Sequence, residues 1–509
     1  MDLQRYLFRR QYIIGPHYAK GLEGWKQLKI EDNLFLTAHP DLSVTTIGGD
    51  GCFLLLLGYI LDPLNPQYND TQILSEMFSD FDTFEDIFEK IDHLGGRYVL
   101  IAGKDKQIKA FNDCAGFRQL FFHTDLAGKM WCAGQPSLLA EQCGIAIDLK
   151  IRNQFFSLPL FTKNLEHWYP AGFTIYKKVY HLQPNHFLDM KTGSVKRYWP
   201  RRPINSFSLD TSIEYSCSIL RGMMESAVNR FEVAVALTAG LDSRIIFAAS
   251  RDVYERLFFF THTNQRLSLN DPDITIPSQM LSYFGLKHNL VYHFPKVERE
   301  FANLMNRNVV TARSTKICNA YTMYNFFNEI GREMVVTNGV VGEMTRSFYF
   351  LPKSVKLNGY LLAMISGMGG CELVTSAFTD WLRSAKEVIK DHDNLLNLFY
   401  WEQRNGNWAA MSYSEYDIAF ESLSPLNCRK LVEVSMGLKP ILKNQPDYRF
   451  HKGLIRRMWP EVLNWDINPA PNRLRSTLRS LKRTKAHSLV KTIRLFPYSA
   501  KGMVLSKSK

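Results

Sequence analysis

One short segment of the sequence combines a backbone and side chains suited to binding phosphate. It follows the apolar run 233–237 and consists of Thr238, Ala239, Gly240, Leu241, Asp242 and Ser243. Small residues at its start let backbone N–H groups approach an anion closely, and the helix expected from Ile245 onward would aim its positive end at the same point. Ser243 could add a hydroxyl donor, and Asp242 could hold a magnesium ion on the bound phosphates.

This segment differs from the two most familiar phosphate-binding loops. It has neither the Gly-Lys-Ser/Thr of a Walker P-loop nor a Gly-x-Gly-x-x-Gly pattern. A glycine-containing turn between a strand and a helix also occurs in many α/β proteins that bind nothing there, because the chain needs it to reverse direction. From these residues alone, phosphate binding and a plain structural turn both stay open.

The elements around the segment predict a parallel sheet. Residues 233–237, 257–260 and 334–336 are short, continuous apolar runs of the kind that a parallel sheet buries on both faces. Residues 209–228 are long enough for a helix, and further helical stretches separate the runs. This alternation predicts an α/β doubly wound sheet for the second part of the chain.

The first 200 residues predict a different class. Short apolar runs separated by polar turns predict antiparallel strands at 53–60, 96–102, 108–111, 120–122, 173–176 and 186–190. The stretch Ser75–Phe88 has a helical apolar face. Together they predict a layered α+β domain. The Pro-rich basic stretch Pro200–Pro203 is interpreted as a linker to the second domain.

Positive charge is concentrated at the C-terminus. The 509 residues carry a net charge of +13, and residues 471–509 hold eleven Lys or Arg and no Asp or Glu, so the first 470 residues carry the remaining +2. This distribution does not indicate a nucleic-acid-binding surface on the body. The tail 471–509 has leucines near helical spacing among its cations, which fits a basic amphipathic helix on an anionic membrane face or a helix on the body with a loose end.

Cysteine spacing and hydropathy indicate the compartment. None of the eight cysteines lies within a few residues of another, so neither a Cys-x-x-Cys zinc or redox motif nor a disulfide framework is expected. The longest apolar stretch near the N-terminus stops at Asp62, far short of the roughly 20 residues of a membrane span. We therefore predict a cytoplasmic protein, with contact to the inner membrane face as a hypothesis for the tail.

Several motifs in the same order resemble one family. The segment 238–243 resembles the Ser-Gly-Gly-x-Asp-Ser pyrophosphate loop of the N-type ATP pyrophosphatases, and its context resembles asparagine synthetase in particular. Partial matches to that family extend over both halves of the chain, at Gly96–Val99, Asn112–Phe121, Trp131–Gln135, Tyr198–Trp199, Asp271–Asp273, Leu286–His288, Asn338–Glu343 and Lys452–Arg456.

The resemblance implies a fold and an activity. It implies an N-terminal nucleophile (Ntn)-type αββα sandwich over 1–200, similar to a glutaminase domain, an ATP-pyrophosphatase-type synthetase domain over 205–470, and the basic tail 471–509. Such synthetases use ATP and Mg²⁺ to adenylate a carboxylate, and a nitrogen nucleophile then displaces AMP to form an amide. The acceptor would be a small-molecule, glycan or peptide carboxylate, and the donor would be ammonia or an amine.

The resemblance also implies roles for individual residues. Segment 238–243 and Gly339 would bind ATP and pyrophosphate, with Asp242 and Asp273 as metal ligands. Lys452 would stabilise charge that develops on phosphorus and on the tetrahedral intermediate, and Glu343 would orient or deprotonate the amine. A solvated helix lysine is the alternative for Lys452, and a plain turn residue is the alternative for Glu343.

Two departures from the family pattern affect these expectations. The family's glutaminase nucleophile is a cysteine exposed after removal of Met1, whereas residue 2 is Asp and the first cysteine is Cys52, within an apolar run. Glutamine hydrolysis is therefore expected to be lost, unless the start codon is misassigned. Gly342 stands where the family has a metal-binding Asp, and aspartate itself is doubtful as the acceptor.

Three functions remain in competition. The leading hypothesis is an ATP-dependent amide synthetase, with amidation of a surface-glycan uronic acid as the first guess for its acceptor. The second is a catalytically inactive relative that serves as a scaffold or binding protein. The third is a tRNA-modifying pyrophosphatase, which the basic tail suggests but the N-terminal sandwich and the absence of paired cysteines disfavour.

Overall fold

The structure is a computed structural model that describes residues 3–49, 51–163, 167–263, 268–294, 296–311 and 313–469. The tail 471–509 and the Asp2 terminus lie outside these residues, so the hypotheses about them stay predictions. Within the described part, no helix combines the length and the apolar character needed to cross a membrane.

The first 200 residues form two six-stranded antiparallel sheets that face each other. Ile14 and Leu36 of one sheet are buried in the same core as Leu55 and Val99 of the other. In spatial order, the first sheet contains Tyr180–His181, Phe121–Thr124, Met130–Ala133, Tyr12–Gly15, Leu34–Ala38 and Lys26–Glu31. The second contains Val195–Arg197, His186–Asp189, Gln107–Asn112, Gly95–Lys104, Cys52–Leu61 and Val44–Gly49.

Helices cover the outer faces of both sheets. Ile73 and Phe88, from two helices, are buried in the core that also holds Leu100 of the second sheet. Leu138, from a third helix, is buried with Trp131 of the first sheet. The layers therefore run helix, sheet, sheet, helix, as predicted for this part; the assignment to the Ntn type stays a prediction. The helices are Asp70–Ser79, Phe84–Ile91, Pro136–Cys143, Leu149–Phe156 and Pro159–Thr162.

Two local predictions for this part are wrong. The helix expected over Ser75–Phe88 is two helices, because Thr83 and Asp86 form a capping box that starts a new helix at Phe84. The strand expected at 173–176 is irregular chain with a single bridge from Tyr176 to Ile147, after Ala171 and Gly172 adopt positive φ values. A left-handed pair of residues turns the chain out of the extended conformation that a strand requires.

The second part contains the predicted parallel sheet. Its five strands lie in the order Asn289–Tyr292, Leu257–Thr263, Val233–Ala236, Val335–Thr337 and Glu421–Leu423. Their apolar side chains are mostly buried because helices pack against the sheet. The helices are Leu209–Arg230, Leu241–Ala249, Pro272–Tyr283, Arg299–Asn308, Ser314–Ile330, Gly359–Ile365, Glu372–Val388, His392–Phe399, Ala410–Tyr416, Arg429–Met436, Pro440–Lys443 and Arg449–Met458.

Several short or unusual helical turns complete the fold. A ten-residue π-helix occupies Tyr400–Ala409. Such i→i+5 turns are rare and occur frequently at functional sites. The 3₁₀ turns are Gln4–Tyr6, Tyr254–Arg256, Val340–Thr345 and Pro460–Asn464.

Buried ion pairs join the two parts of the chain. Arg97 Nη2 donates to Asp417 Oδ2 at 2.9 Å, and Arg97 Nη1 lies 2.7 Å from Glu421 Oε1. Arg118 Nη2 lies 2.7 Å from the other oxygen of Glu421. Burial alone would raise the pKa of Glu421, but Arg118, Arg97 and Arg10 lower it to about 2. This cluster fixes the antiparallel sheets against the last strand of the parallel sheet.

A second buried contact uses a segment that carries the family resemblance. Asp113 accepts hydrogen bonds from the N–H groups of Phe117, at 3.0 Å, and Arg118, at 2.8 Å. Asn427 Nδ2, from the second part, donates to Asp113 Oδ1 at 2.9 Å. The segment Asn112–Phe121, which carries part of the family resemblance, therefore contacts the second part of the chain in this structure. The largest hydrophobic core also contains residues of both, and the domain boundaries 1–200 and 205–470 stay a prediction.

Candidate functional site

The predicted phosphate-binding segment lies at the carboxyl edge of the parallel sheet. Strand Val233–Ala236 is central: the chain runs outward from it through Leu257–Thr263 to Asn289–Tyr292 on one side, and then crosses back to Val335–Thr337 on its other side. Ligands of open α/β sheets bind where the strand order reverses in this way. Gly240 precedes helix Leu241–Ala249 and gives it no side-chain cap. The first turn of this helix therefore presents uncapped N–H groups at that crevice.

Three backbone donors of the segment already have partners within the chain. The N–H of Thr238 lies 3.3 Å from Ser243 Oγ, and the N–H of Gly240 donates to Thr238 Oγ1 at 3.1 Å. The N–H of Ala239 donates to Asp273 Oδ1 at 3.0 Å. Burial raises the pKa of Asp273 above its usual range. A bound phosphate would have to replace a carboxylate at Ala239.

Asp242 is paired with an arginine that the sequence did not single out. Arg346 Nη2 donates to Asp242 Oδ2 at 2.6 Å. The second carboxylate oxygen, Oδ1, is buried without a hydrogen-bond partner. Burial raises the pKa of Asp242 to about 6, with Glu343 acting in the same direction and Arg346 opposing.

Two glycines allow the loop after strand Val335–Thr337 to lie directly against Asp242. A Cβ on Gly342 would lie 2.3 Å from Asp242 Oδ1, and a Cβ on Gly339 would lie 2.6 Å from Asp242 Cβ. Real Cβ atoms essentially never show contacts this short, so this arrangement requires glycine at both positions. Gly339 therefore lies beside the predicted segment, and its role in binding ATP and pyrophosphate stays a prediction.

Glu343 follows in the same loop and contacts the π-helix. Tyr400, at the start of that helix, donates its hydroxyl hydrogen bond to Glu343 Oε2 at 2.5 Å. The Tyr400 ring stacks on Phe348 with 4.5 Å between ring centroids. Burial, then the charge of Glu343, raise the pKa of Tyr400 well above its usual range, so the hydroxyl stays a donor. Phe348 is 40% exposed and extends this pair to the surface.

Lys452 lies in the first turn of helix Arg449–Met458. That helix packs against Leu241–Ala249, and its His451 ring lies 2.9 Å from Thr345 Oγ1, next to Arg346. Lys452 is half-buried, and its ammonium group has no hydrogen bond or ion pair within the described residues. The structure therefore places the helix at the site and leaves the catalytic role of Lys452 a prediction.

The last described residues run across the predicted phosphate-binding segment. The N–H of Asn468 donates to the carbonyl of Ala239 at 3.0 Å. Arg244, buried in helix Leu241–Ala249, donates to the carbonyls of Trp465, at 2.5 Å, and Asp466. Residues 465–468 thus lie against the candidate site.

The residues present do not fit a magnesium ion held by the protein itself. One oxygen of Asp242 binds Arg346 and the other is buried against Gly342, while Asp273 Oδ1 accepts the Ala239 N–H. In the described ranges, no group of three or more His, Cys, Asp or Glu side chains is arranged to hold a metal. Asp242 Oδ2 and Asp273 Oδ1 are therefore committed to contacts within the chain, whereas Asp242 Oδ1 has no hydrogen-bond partner, and the role of this pair as metal ligands stays a prediction.

Arg346, Tyr400 and Trp465 belong to this site but were not predicted from the sequence. Arg346 lies only three positions after Glu343, and a basic residue so close to a candidate catalytic glutamate was an available signal. Tyr400 and Trp465 reach the site from distant parts of the chain, through a π-helix and an irregular segment that no apolar periodicity marks. Only the tertiary structure identifies them.

Comparison with known proteins supports a distant relationship to asparagine synthetases. The chain is 21% identical over 312 residues to the glutamine-hydrolysing asparagine synthetase of Zea mays, which covers 58% of this chain and 46% of the relative. It is 24% identical over 214 residues to asparagine synthetase 2 of Arabidopsis thaliana, with 40% and 31% covered. The protein of the same name from Oryza sativa subsp. japonica is 22% identical over 234 residues, with 43% and 33% covered.

These matches span less than half the length of the curated relatives. No protein-family model matches the chain. Among solved structures, glutamine phosphoribosylpyrophosphate amidotransferase from B. subtilis, complexed with ADP and GMP, aligns at 10% identity with a TM-score of 0.24, covering 68% of this chain and 72% of that one. The U34-tRNA thiolase NcsA from Methanococcus maripaludis aligns at 10% identity and 0.25, covering 58% and 80%. At these TM-scores the structural likenesses carry no argument.

Proposed function

We propose that the protein is an ATP-dependent ligase that forms an amide from a carboxylate and ammonia or an amine. The observation that carries this proposal is the position of segment 238–243, where the parallel sheet reverses its strand order, directly against the loop that holds Gly339 and Glu343. The distant similarity to asparagine synthetases supports the same reaction class.

The reaction would proceed in two steps. A carboxylate oxygen of the acceptor attacks the α-phosphorus of ATP, and the bond to pyrophosphate breaks. The nitrogen nucleophile then attacks the acyl carbon, the bond to AMP breaks, and the nitrogen loses a proton. ATP supplies the adenylyl group and carries Mg²⁺ on its own phosphates. The uncapped first turn of helix Leu241–Ala249 would bind the departing pyrophosphate, and Lys452 would stabilise the charge that develops.

Glu343 is the proposed base for the second step. Its carboxylate is half-buried and held by the Tyr400 hydroxyl, which leaves Oε1 to orient or deprotonate the amine. Phe348 extends from this contact to solvent and would flank the acceptor. An aromatic face of this kind suits a sugar ring or another apolar surface.

For the acceptor, a glycan uronic acid is the first choice, ahead of a peptide or small-molecule carboxylate.

The nitrogen source would be free ammonia or a substrate amine, without glutamine hydrolysis. The half-exposed Cys52 begins a strand of the second antiparallel sheet. The N-terminal part would then have a structural role, since its buried ion pairs attach it to the synthetase part.

For the tail, we propose contact with the inner face of the membrane. No nucleic-acid partner is proposed.

An inactive scaffold protein is the second candidate, and one set of contacts favours it. The N–H of Ala239 and one oxygen of Asp242, two of the groups expected to meet phosphate or metal, are already bound to Asp273 and Arg346. A protein of this kind would release no pyrophosphate with any acceptor.

Asp242→Asn tests the proposed function. We expect wild-type protein to release pyrophosphate from ATP when ammonium and a panel of uronic-acid, peptide and small carboxylates are supplied. The amide has nearly the shape of the carboxylate but no charge, so Arg346 loses the partner that orients it. The rate of release should fall by about 100-fold. Wild-type protein that is folded, binds no ATP and releases no pyrophosphate would favour the scaffold instead.

Glu343→Gln tests the second step separately. Glutamine keeps the hydrogen bond to Tyr400 but cannot take a proton, so amide formation should fall by about 100-fold. Adenylation should persist, and acyl-adenylate should accumulate when the reaction is quenched and separated by chromatography. Tyr400→Phe is the matched control, because it removes the hydrogen bond and leaves the carboxylate. An equal loss of adenylation and amide formation in Glu343→Gln would contradict this role.

A further inference from the structure

Arg346 contacts Asp242 in the candidate site, although no sequence motif pointed to it. We propose that its guanidinium is the resident cation of the nucleotide site: it neutralises Asp242 in place of a protein-held divalent metal and donates hydrogen bonds to the phosphates of ATP. The binding of ATP phosphates by Arg346 rests on the proposed function. The neutralisation of Asp242 by Arg346 does not, because it depends only on contacts within the chain.

The ion pair is well enclosed. The Arg346 side chain is 17% exposed and the Asp242 side chain 24%, and they meet through a 2.6 Å contact. The guanidinium carbon also lies 5.9 Å from the ring centre of Tyr448. Desolvation would make an isolated charge at such a position costly, so each group is stable there mainly because the other is present.

The backbone on both sides of Arg346 is fixed. Thr345 Oγ1 lies 2.9 Å from the His451 ring, and the N–H of Ser347 donates to Asn444 Oδ1 at 2.9 Å. Both partners come from the C-terminal part of the chain and are buried. The hydrogen bonds of Thr345 and Ser347 therefore fix the backbone on both sides of Arg346, which keeps its side chain beside Asp242.

The carboxylates near Asp242 are too few for a metal once Arg346 is present. Gly342 cannot carry an acidic side chain, because even a Cβ would lie 2.3 Å from Asp242 Oδ1. Glu343 accepts the Tyr400 hydroxyl on one oxygen. A divalent ion prefers several oxygen ligands with little competing positive charge. Arg346 already supplies a full positive charge at the one carboxylate that the segment offers.

An arginine can do more here than neutralise. The guanidinium has five N–H donors in a planar fork and keeps its charge at every physiological pH. The contact with Asp242 uses Nη2, which leaves donors for phosphate oxygens at the same crevice as the uncapped helix turn. Asp242 then acts as the positioning residue for Arg346, and ATP needs no metal bridge to the protein.

Calorimetric titration with ATP in EDTA tests the phosphate role. We expect wild-type protein to bind ATP without any divalent ion, Arg346→Lys to keep only part of this affinity because an ammonium lacks the planar fork, and Arg346→Gln to lose at least about 10-fold. Arg332→Gln, which removes an exposed arginine of the second part, is the control for a lost positive charge. Binding by wild type that requires Mg²⁺ and is unchanged in Arg346→Gln would overturn the proposal.

A second titration separates failure of this proposal from failure of the proposed function. Mn²⁺, followed by electron paramagnetic resonance without nucleotide, should show no protein-bound ion in wild type. A bound Mn²⁺ that disappears in Asp242→Asn would show that Arg346 is not the resident cation, whether or not ATP binds. No ATP binding to any folded variant would overturn the proposed function and the phosphate role, while the Mn²⁺ result still decides which cation Asp242 holds.

Discussion

Arg97→Met is expected to lower the free energy of unfolding by about 3 kcal/mol, measured by urea denaturation at neutral pH. The side chains of Arg97 and Asp417 are 2% and 3% exposed, and Arg97 also lies 2.7 Å from Glu421. Removal of the arginine leaves the buried Asp417 carboxylate with the 2.8 Å hydrogen bond from Gln11 and the charge of the neighbouring Arg10, but without its direct ion pair. Methionine fills similar volume, so the loss measures the unpaired charge more than a cavity.

The same variant should be more sensitive to acid. Because the pKa of Glu421 is about 2 in the folded protein, its contribution to stability is present above the unfolded value near 4.3 and is lost as the pH falls toward 2. Without Arg97 the folded pKa rises, so part of this contribution is already lost at neutral pH. The acid unfolding midpoint, followed by circular dichroism, should move to higher pH.

Two further variants distinguish a buried pair from ordinary surface charge. Arg332→Ala breaks an exposed pair with Glu232 and should cost less than about 0.5 kcal/mol. Arg97→Met combined with Asp417→Leu should recover part of the loss, because both buried charges are gone. If the single variant were as stable as Arg332→Ala, the ion pairs between the two parts would contribute little. In that case, limited proteolysis should cleave wild type and Arg97→Met between the two parts of the chain at the same rate.

Gly342→Asp is expected to destabilise the protein by about 3 kcal/mol, although it introduces the residue that the resemblance to asparagine synthetases implies at this position. The new Cβ would meet Asp242 Oδ1 at 2.3 Å and Cγ at 2.4 Å. Asp242 cannot move away freely because Arg346 holds its other oxygen. A second carboxylate would also add like charge beside Asp242 and Glu343. Thermal or urea unfolding measures the loss, and Mn²⁺ titration would show no gain of metal binding.

Control substitutions separate steric strain from charge. Gly342→Ala adds the same Cβ without charge and should show most of the loss, whereas Gly49→Ala adds a Cβ where no atom lies within 4 Å and should stay within about 0.5 kcal/mol. A stable Gly342→Asp protein that binds Mn²⁺ would mean that the loop moves away from Asp242. The assignment of Arg346 as the resident cation would fall with that result.

The sequence predicted the elements whose side chains are patterned locally. Apolar runs gave the strands Cys52–Leu61, Gly95–Lys104 and Val233–Ala236 to within a few residues, because a buried strand imposes its pattern on its own sequence. The pattern failed where a single residue changes the backbone, as at the Thr83 capping box and at Ala171 with its positive φ. Caps and left-handed residues depend on one or two side chains, which apolar periodicity does not detect.

For the candidate site, the sequence by itself determined the segment 238–243, its place after an apolar strand and the choice of Glu343 as a candidate; the central position of that strand came from the structure. Which groups Asp242 contacts was decided only by the tertiary structure, because Arg346 and the buried position of Gly342 depend on packing between separate elements. Tyr400 reaches Glu343 across 57 positions of chain. Charge pairs of this kind are set by three-dimensional proximity and desolvation, and neither quantity is a property of a linear motif.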